Sequence, residues 1–264
     1  MKPKSILITN DDGIHAEGIQ LLSQTIFKNS DRYSLSIVAP DHERSAVGHA
    51  ITMHRPLRVE KINFLHNPEL IGWAVNGTPS DCVKLAVEAI LADKPDLVIS
   101  GINRGSNLGT DVLYSGTVSA AVEGLIMGIP SVAVSLTGGG DKNDFIFAAR
   151  FICRLIPQLL EGCLPASTLI NINVPPGGDT VRGARVTTLG KRRYRNIFDK
   201  RVDPRGSIYY WLAGELVEND PEDADSDTRA VRDGYISVTP IQFNLTNRAV
   251  MPDLETMLQN IPIA

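Results

Sequence analysis

Through residue 174, short apolar runs rich in β-branched residues alternate with segments whose apolar side chains recur at helical spacing. This alternation constrains the fold more than any other feature of the chain. Ser5-Ile6-Leu7-Ile8-Thr9-Asn10 is the first run, and residues 18–28 follow with Ile19, Leu22 and Ile26 on one helical face. Residues 34–39 form a second run, stopped by Pro40-Asp41, and further runs lie at 71–75, 97–100, 131–135 and 168–174. Between them, Asn76-Gly77-Thr78-Pro79-Ser80 caps a helix with Cys82, Val83, Ala86, Ala89 and Ile90 on its apolar face. A second helix follows Tyr114-Ser115-Gly116-Thr117, with Val118, Ala121, Val122 and Leu125 aligned, and Gly128-Ile129-Pro130 stops it. Another covers about 144–160 and carries Pro157, a bend signal. Short buried strands alternating with helices predict an α/β fold: a Rossmann-like, doubly wound, mostly parallel sheet in three αβα layers. Residues 51–62 alternate loosely around Pro56, which predicts edge strands or a ribbon.

The chain changes character beyond that point. Residues 182–189 read as a strand. Residues 191–205 are basic, Asp203-Pro204-Arg205-Gly206 is a turn, and 207–212 is strand-like, which together predict a long projecting β-hairpin. Residues 215–227 are acidic and read as a loop, 235–240 as a strand and 254–258 as a short helix. The expected organisation is an α/β core over 1–189. Residues 190–264 then carry the hairpin, a strand returning to the core and a C-terminal oligomerisation segment.

Within this frame one loop stands out. Asn10-Asp11-Asp12-Gly13 lies where the first strand hands over to the first helix. In open α/β sheets, ligands bind at the carboxyl ends of the strands. Adjacent carboxylates raise each other's pKa, and a bound cation is the usual relief. The loops at Ser45 and Asn103 also follow parallel strands, so three loops converge on one crevice and offer carboxylate, hydroxyl and amide oxygens. Such hard ligands suit Mg²⁺, Mn²⁺ or Ca²⁺ rather than zinc. Gly101, Gly105 and Gly109 let main-chain N–H groups turn toward an anion, and Ser115-Gly116-Thr117 sits at a predicted helix start, where phosphate is favoured. Neither a Walker A loop nor a dinucleotide fingerprint is present. Each piece also has a plainer reading, as a solvated turn or a helix cap.

Composition removes other classes. The chain has 264 residues, a net charge of −4, 43% hydrophobic and 21% charged residues, the profile of a water-soluble globular domain without a basic surplus for nucleic acid. No apolar run approaches the roughly 18 residues of a membrane span, and the first residues lead directly into a strand without a signal-peptide layout. Cys82, Cys153 and Cys163 are too scattered for a disulfide framework or a thiolate metal site, which points to the reducing cytoplasm.

Several ordered blocks resemble the SurE survival-protein family of metal-dependent 5′/3′-nucleotidases. They are Ile8-Thr9-Asn10-Asp11-Asp12-Gly13, Ala39-Pro40 with Arg44-Ser45-Ala46 and Gly48, and Asn76-Gly77-Thr78-Pro79 with Asp81-Cys82. Further along come Ser100-Gly101-Ile102-Asn103 with Gly105, Asn107 and Gly109, then Tyr114-Ser115-Gly116-Thr117-Val118, and Gly234-Tyr235-Ile236-Ser237-Val238-Thr239-Pro240. The resemblance implies one divalent ion per subunit, Mg²⁺ or Mn²⁺ with Ca²⁺ as a further possibility, held by Asp11, Asp12, Ser45 and Asn103. Asn107, Ser115, Gly116 and Thr117 would face phosphate, and Asp11 or Asp12 would orient or deprotonate a water that attacks phosphorus in line. Nucleoside monophosphates would be hydrolysed by a homodimer or homotetramer that exchanges late segments. Positioning groups that see phosphate rather than base imply broad base acceptance. A covalent route through aspartyl-phosphate is the competing enzyme class, but it uses Asp-x-Asp rather than adjacent acids; a nucleotide sensor without turnover is the competing non-enzyme.

Other residues carry plainer expectations. His15 and His49 lie near the expected site, though lone loop histidines are mostly solvated or hydrogen-bonded. Lys191, Arg192, Arg193 and Arg195 read as a solvated or subunit-contacting surface rather than a nucleic-acid site. Asp223, Asp225 and Asp227 imitate a calcium loop, but Thr228 stands at its glycine position and Gly234 at its final glutamate. Met251, Leu254, Met257 and Leu258 suggest packing or subunit contact.

Overall fold

In the computed structural model, residues 3–28, 31–64, 67–162, 165, 167–195, 198–217, 224–259 and 261 are described. Cys163, Asp223 and the rest of the acidic stretch 218–223 lie outside them. Strands β1 (Lys4–Thr9), β2 (Tyr33–Pro40), β3 (Val59–Phe64), β4 (Asn67–Val75), β5 (Leu97–Arg104), β6 (Ser131–Leu136), β7 (Leu169–Val174), β8 (Ala184–Val186) and, late in the chain, β13 (Ile236–Ile241) form one sheet. Its order is β3-β4-β2-β1-β5-β6-β7-β13-β8. Neighbours from β4 through β7 run parallel, β3 pairs antiparallel with β4, and β13 pairs antiparallel with β7 and parallel with β8. The mostly parallel α/β sheet is therefore as expected.

Alternate residues of β1 face opposite layers. Ile6 and Ile8 join Ile37, Ile99 and Val134 under α1 (Glu17–Phe27) and α4 (Lys142–Leu160). Leu7 joins Val38 and Val98 under α2 (Pro79–Leu85). The helix α3 (Gly116–Ile126) packs beside α2 on that same face. Cys82 is fully buried there, as its place in the helical pattern predicts. Thr78 and Asp81 form a reciprocal capping box that starts α2, with Pro79 in the first turn. Asp141 and Asp144 form another, which starts α4 earlier than the apolar spacing shows, and the helix runs through Pro157.

The chain runs outward from β1 to β2 and β4, then returns to lay β5 on the other side of β1. That reversal opens a crevice at the carboxyl ends of β1 and β5.

Boundaries differ from the sequence reading where pairing decides them. Pro56 precedes β3, which begins at Val59, and β4 starts at Asn67 because the antiparallel partner extends it. Of the expected 182–189 strand, Ala184–Val186 forms the ladder with β13, and Thr188 instead makes an isolated bridge to Ser226. The hairpin consists of β9 (Arg193–Arg195), β10 (Phe198–Val202), β11 (Ile208–Leu212) and β12 (Glu215–Val217). β10 pairs with β11 and β9 with β12, so part of the expected acidic loop is strand. Asp203 Oδ1 accepts from the Arg205 and Ser207 N–H groups, both at 2.8 Å, and closes the predicted turn. Asp227 opens α5 (Asp227–Arg232), and the last helix is α6 (Met251–Gln259), longer than the apolar spacing indicated.

Candidate active site

The loop after β1 is held from both sides. Asn10 Nδ2 donates to the Gly13 carbonyl at 2.8 Å, and the Arg44 N–H donates to the Asp11 carbonyl at 2.7 Å. The second bond ties the loop after β2, which carries Ser45, to the loop after β1.

The Asp11 carboxylate turns toward the first turn of α3. Its Oδ2 accepts from the Thr117 N–H at 3.1 Å and its Oδ1 from the Thr117 hydroxyl. Gly116 is small by necessity, since a Cβ there would stand 2.9 Å from Asp11 Cβ. Asp11 is 6% exposed, and burial pushes its carboxyl up to about 6 against the opposing Thr117 hydrogen bonds. The neighbouring Asp12 charge adds to the rise. Asp12 Oδ2 accepts from the Arg104 N–H at 2.9 Å, the last residue of β5, and burial raises its carboxyl too. The Arg104 guanidinium is engaged elsewhere: it binds Glu17 at 2.9 Å and lies over the Phe145 ring. Among the described residues neither Asp11 nor Asp12 has an ion-pair partner.

Asp11, Asp12, Ser45, Asn103, Asn107 and Ser115 all line one cavity of about 750 Å³. The sequence-predicted residues from three loops therefore converge. Gly116 and Thr117 do not line it; Thr117 is fully buried behind Asp11, and both its donors are spent there. Ser115 caps α3 by accepting from the Val118 N–H at 3.0 Å, which leaves its own proton to donate. Asn107 is fixed from three directions. Its N–H donates to Asn173 Oδ1 at 2.8 Å, its carbonyl accepts from Asn171 Nδ2 and Asn173 Nδ2 on β7, and its Nδ2 donates to Ser135 Oγ at 2.8 Å. The Asn103 amide donates to the Gly105 carbonyl at 2.8 Å, which leaves its oxygen to face other partners.

The donor set fits a hard divalent cation. Two carboxylates without an ion-pair contact among the described residues, a hydroxyl and an amide oxygen border the same space. Among the described residues no three His, Cys, Asp or Glu side chains cluster as a metal site, so neutral oxygens must complete any coordination. His15 and His49 do not line the cavity. His49 Nε2 lies 2.8 Å from Glu123 Oε2 on α3, a hydrogen bond that holds the Glu123 carboxyl below its usual range.

The far wall was not legible from sequence. Glu43, Asp111, Tyr114, Tyr194, Leu212 and Gly214 also line the cavity, the last three brought there by the hairpin. Asp111 Oδ2 accepts from Arg192 Nη1 at 2.5 Å and from the Tyr194 hydroxyl at 2.6 Å. Asp227, fully buried, accepts from the Gly109 and Gly190 N–H groups at 2.8 and 2.9 Å and so pins the glycine-rich loop to the hairpin root. Gly109 has φ +54, and a Cβ there would meet the Gly190 carbonyl oxygen at 2.4 Å. Aspartates in such strings read as surface or cap residues until the partner backbone is known.

Comparisons with known proteins give the family and the fold. The family model for survival protein SurE matches residues 6–196. A 5′-nucleotidase SurE of Pelotomaculum thermopropionicum (strain DSM 13744 / JCM 10971 / SI) is 56% identical over 260 residues, covering 98% of this chain and 96% of that one. Another of the same name, from Heliobacterium modesticaldum (strain ATCC 51547 / Ice1), is 56% identical over 254 residues, covering 96% and 91%. The crystal structure of SurE from Aquifex aeolicus superposes with a TM-score of 0.80 at 38% identity, covering 96% of this chain and 99% of that one. Matched along nearly its whole length in sequence and in fold, the chain belongs to the SurE family.

Proposed function

We propose that the chain is a 5′/3′-nucleotidase that hydrolyses nucleoside monophosphates to nucleoside and phosphate in the presence of a divalent ion, Mg²⁺ or Mn²⁺. The observation that carries this reading is the convergence of Asp11, Asp12, Ser45, Asn103, Asn107 and Ser115 on one cavity. The relatives' name, 5′-nucleotidase, supports the reaction class.

Asp11, Asp12, Ser45 and Asn103 would hold the ion. Bound there, it would neutralise phosphate charge and lower the pKa of a water. The chain's own residues do the rest. The Ser115 hydroxyl and the second N–H of Asn107 Nδ2 donate to phosphate oxygens at the start of α3, where the helix dipole also favours an anion. Thr117 spends its donors holding Asp11 in place. Asp12, bonded through one oxygen only, orients the attacking water and takes its proton. A new P–O bond forms from that water, the ester P–O bond breaks in line, the departing sugar oxygen takes a proton from solvent to leave as a hydroxyl, and Asp12 returns its proton to solvent.

The physiological setting belongs to the same reading. Cys82 and Cys153 are free thiols, as in a reducing cytoplasm. The hairpin exposes Phe198, Val202, Ile208, Trp211 and Leu212, and α6 exposes Leu254, Met257 and Leu258, apolar surface suited to a homodimer or homotetramer. No helix of the described residues is long and apolar enough to cross a membrane. The decisive experiment is a panel of nucleoside 5′- and 3′-monophosphates against Mg²⁺, Mn²⁺, Ca²⁺ and chelator, scored by phosphate release. Nucleotide binding without release under every metal would refute the enzyme.

A further inference from the structure

The cavity carries an acid that the phosphate chemistry does not use. Asp111 lines it together with Tyr194 and Tyr114, and Leu212 and Gly214 of the hairpin complete that wall. A carboxylate accepts hydrogen bonds and donates none, so beside a phosphate site it serves a cation or a hydrogen-bond donor, and the cation here is already the Arg192 guanidinium on one of its oxygens. Asp111 is one turn of chain from Ser115, whose N–H donates to the Asp111 carbonyl at 3.2 Å. Its backbone therefore adjoins the start of α3, and Asp111 and Ser115 line the same cavity. Its carboxylate is immobilised through a single oxygen. Arg192 Nη1 and the Tyr194 hydroxyl both donate to Oδ2. Among the described residues Oδ1 accepts no side-chain or backbone hydrogen bond. The Arg192 guanidinium balances the charge, and Thr110 Oγ1 donates to the Arg192 carbonyl at 2.8 Å to hold that segment in place. Burial and the Asp111 carboxylate push the Tyr194 phenol up to about 12, so it remains a donor to Asp111.

The donors of a nucleoside monophosphate that lie nearest its phosphate are sugar hydroxyls. A 5′-phosphate leaves the 2′- and 3′-hydroxyls free, and a 3′-phosphate leaves the 2′ and 5′. We propose that Asp111, oriented by Arg192 and Tyr194, accepts a sugar hydroxyl of the substrate and makes the site prefer ribose phosphates over phosphoesters without that donor. This rests on the nucleotidase reading and deepens it: base identity goes unread while the sugar is selected. A charge-assisted hydrogen bond is the stronger kind, and a rigid acceptor loses little entropy in making it. Nothing in the sequence spacing points to this role, because Arg192 and Tyr194 lie more than eighty residues from Asp111 and arrive with the hairpin.

The test is a substrate-deletion series read as a ratio. Phosphate release is measured for a ribonucleoside 5′-monophosphate, its 2′-deoxy, 3′-deoxy and 2′,3′-dideoxy forms, and phenyl phosphate, with Mg²⁺ and Mn²⁺. Wild type is expected to show a kcat/KM preference of about tenfold or more for the ribo over the dideoxy substrate, the scale of one hydrogen bond to a charged group. Asp111→Ala and Asp111→Ser, which leave no group reaching the sugar, should collapse that ratio toward one by raising KM on the ribo substrate. Tyr194→Phe, which removes one orienting donor and keeps the ring, should lower the ratio partway and guards against a misfolded Asp111 variant. A wild-type ratio near one, or a wild-type ratio retained in folded Asp111 variants, overturns the inference while leaving the nucleotidase intact. Failure of wild type to release phosphate from any substrate overturns the underlying reading, and this inference with it.

Discussion

Thr117 donates twice to Asp11, by its N–H at 3.1 Å and by its hydroxyl, and so welds the end of β1 to the first turn of α3. The bond spans 106 residues of sequence and fixes the acid that faces the cavity. Thr117→Val keeps the shape and loses the hydroxyl. It should cost about 2 kcal/mol of stability at pH 8, the scale of a hydrogen bond to a buried charge. Urea unfolding checks this, and Thr117→Ser should recover most of the loss.

The raised Asp11 carboxyl makes a pH prediction for the protein in chelator. Its value rises from 3.8 to about 6 on folding, because burial disfavours the charged form. The folded chain then holds this proton more tightly than the unfolded chain. The group's penalty is absent below about pH 4 and complete above about pH 6, so its contribution weakens stability as pH rises through that window. Asp11→Asn keeps one acceptor and one donor for the two Thr117 groups and removes the penalty. The stability gap between Asp11→Asn and wild type should grow by up to about 3 kcal/mol from pH 4 to pH 7. Denaturation curves at matched pH measure it, and saturating Mn²⁺ should shrink the gap.

Asp12 is the group assigned to the attacking water. Asp12→Asn keeps an oxygen for the Arg104 N–H and loses the charge. Activity should fall about a hundredfold or more, the range found for central electrostatic groups, with the circular dichroism spectrum retained. Full hydrolysis by this variant would remove Asp12 from the mechanism.

Asn103 provides a neutral oxygen at the end of β5. Asn103→Ala should shift the metal titration of activity to higher Mn²⁺ concentration by about tenfold, as loss of one metal-orienting group does. A superimposable titration would exclude it as a ligand.

Asp227 tests the far wall. Asp227→Asn leaves an amide nitrogen facing either the Gly109 or the Gly190 N–H, donor against donor. The expected cost is about 2 kcal/mol in unfolding experiments, with KM for nucleotides rising several-fold as the loop and hairpin root separate. Unaltered KM in a destabilised variant would make Asp227 a folding residue alone.

The sequence by itself determined the layers and one side of the cavity. Apolar β-branched runs and helical spacing are local signals, and Asp11-Asp12 after β1 is placed by the rule that ligands gather at the carboxyl ends of parallel strands. Strand ends were less legible, because β4, β8 and β12 begin and stop where a partner strand pairs with them. Tertiary structure alone decided that Thr117 and Gly116 stand behind Asp11 rather than against the cavity, since a helix start shows where N–H groups are free but not which acid takes them. It alone brought Tyr194, Leu212 and Gly214 to the cavity, and Asp227 beneath Gly109. Those residues act through backbone and side chains distant in sequence, and no periodicity or spacing encodes a contact that exists only once the hairpin root meets Asp111 and Asp227.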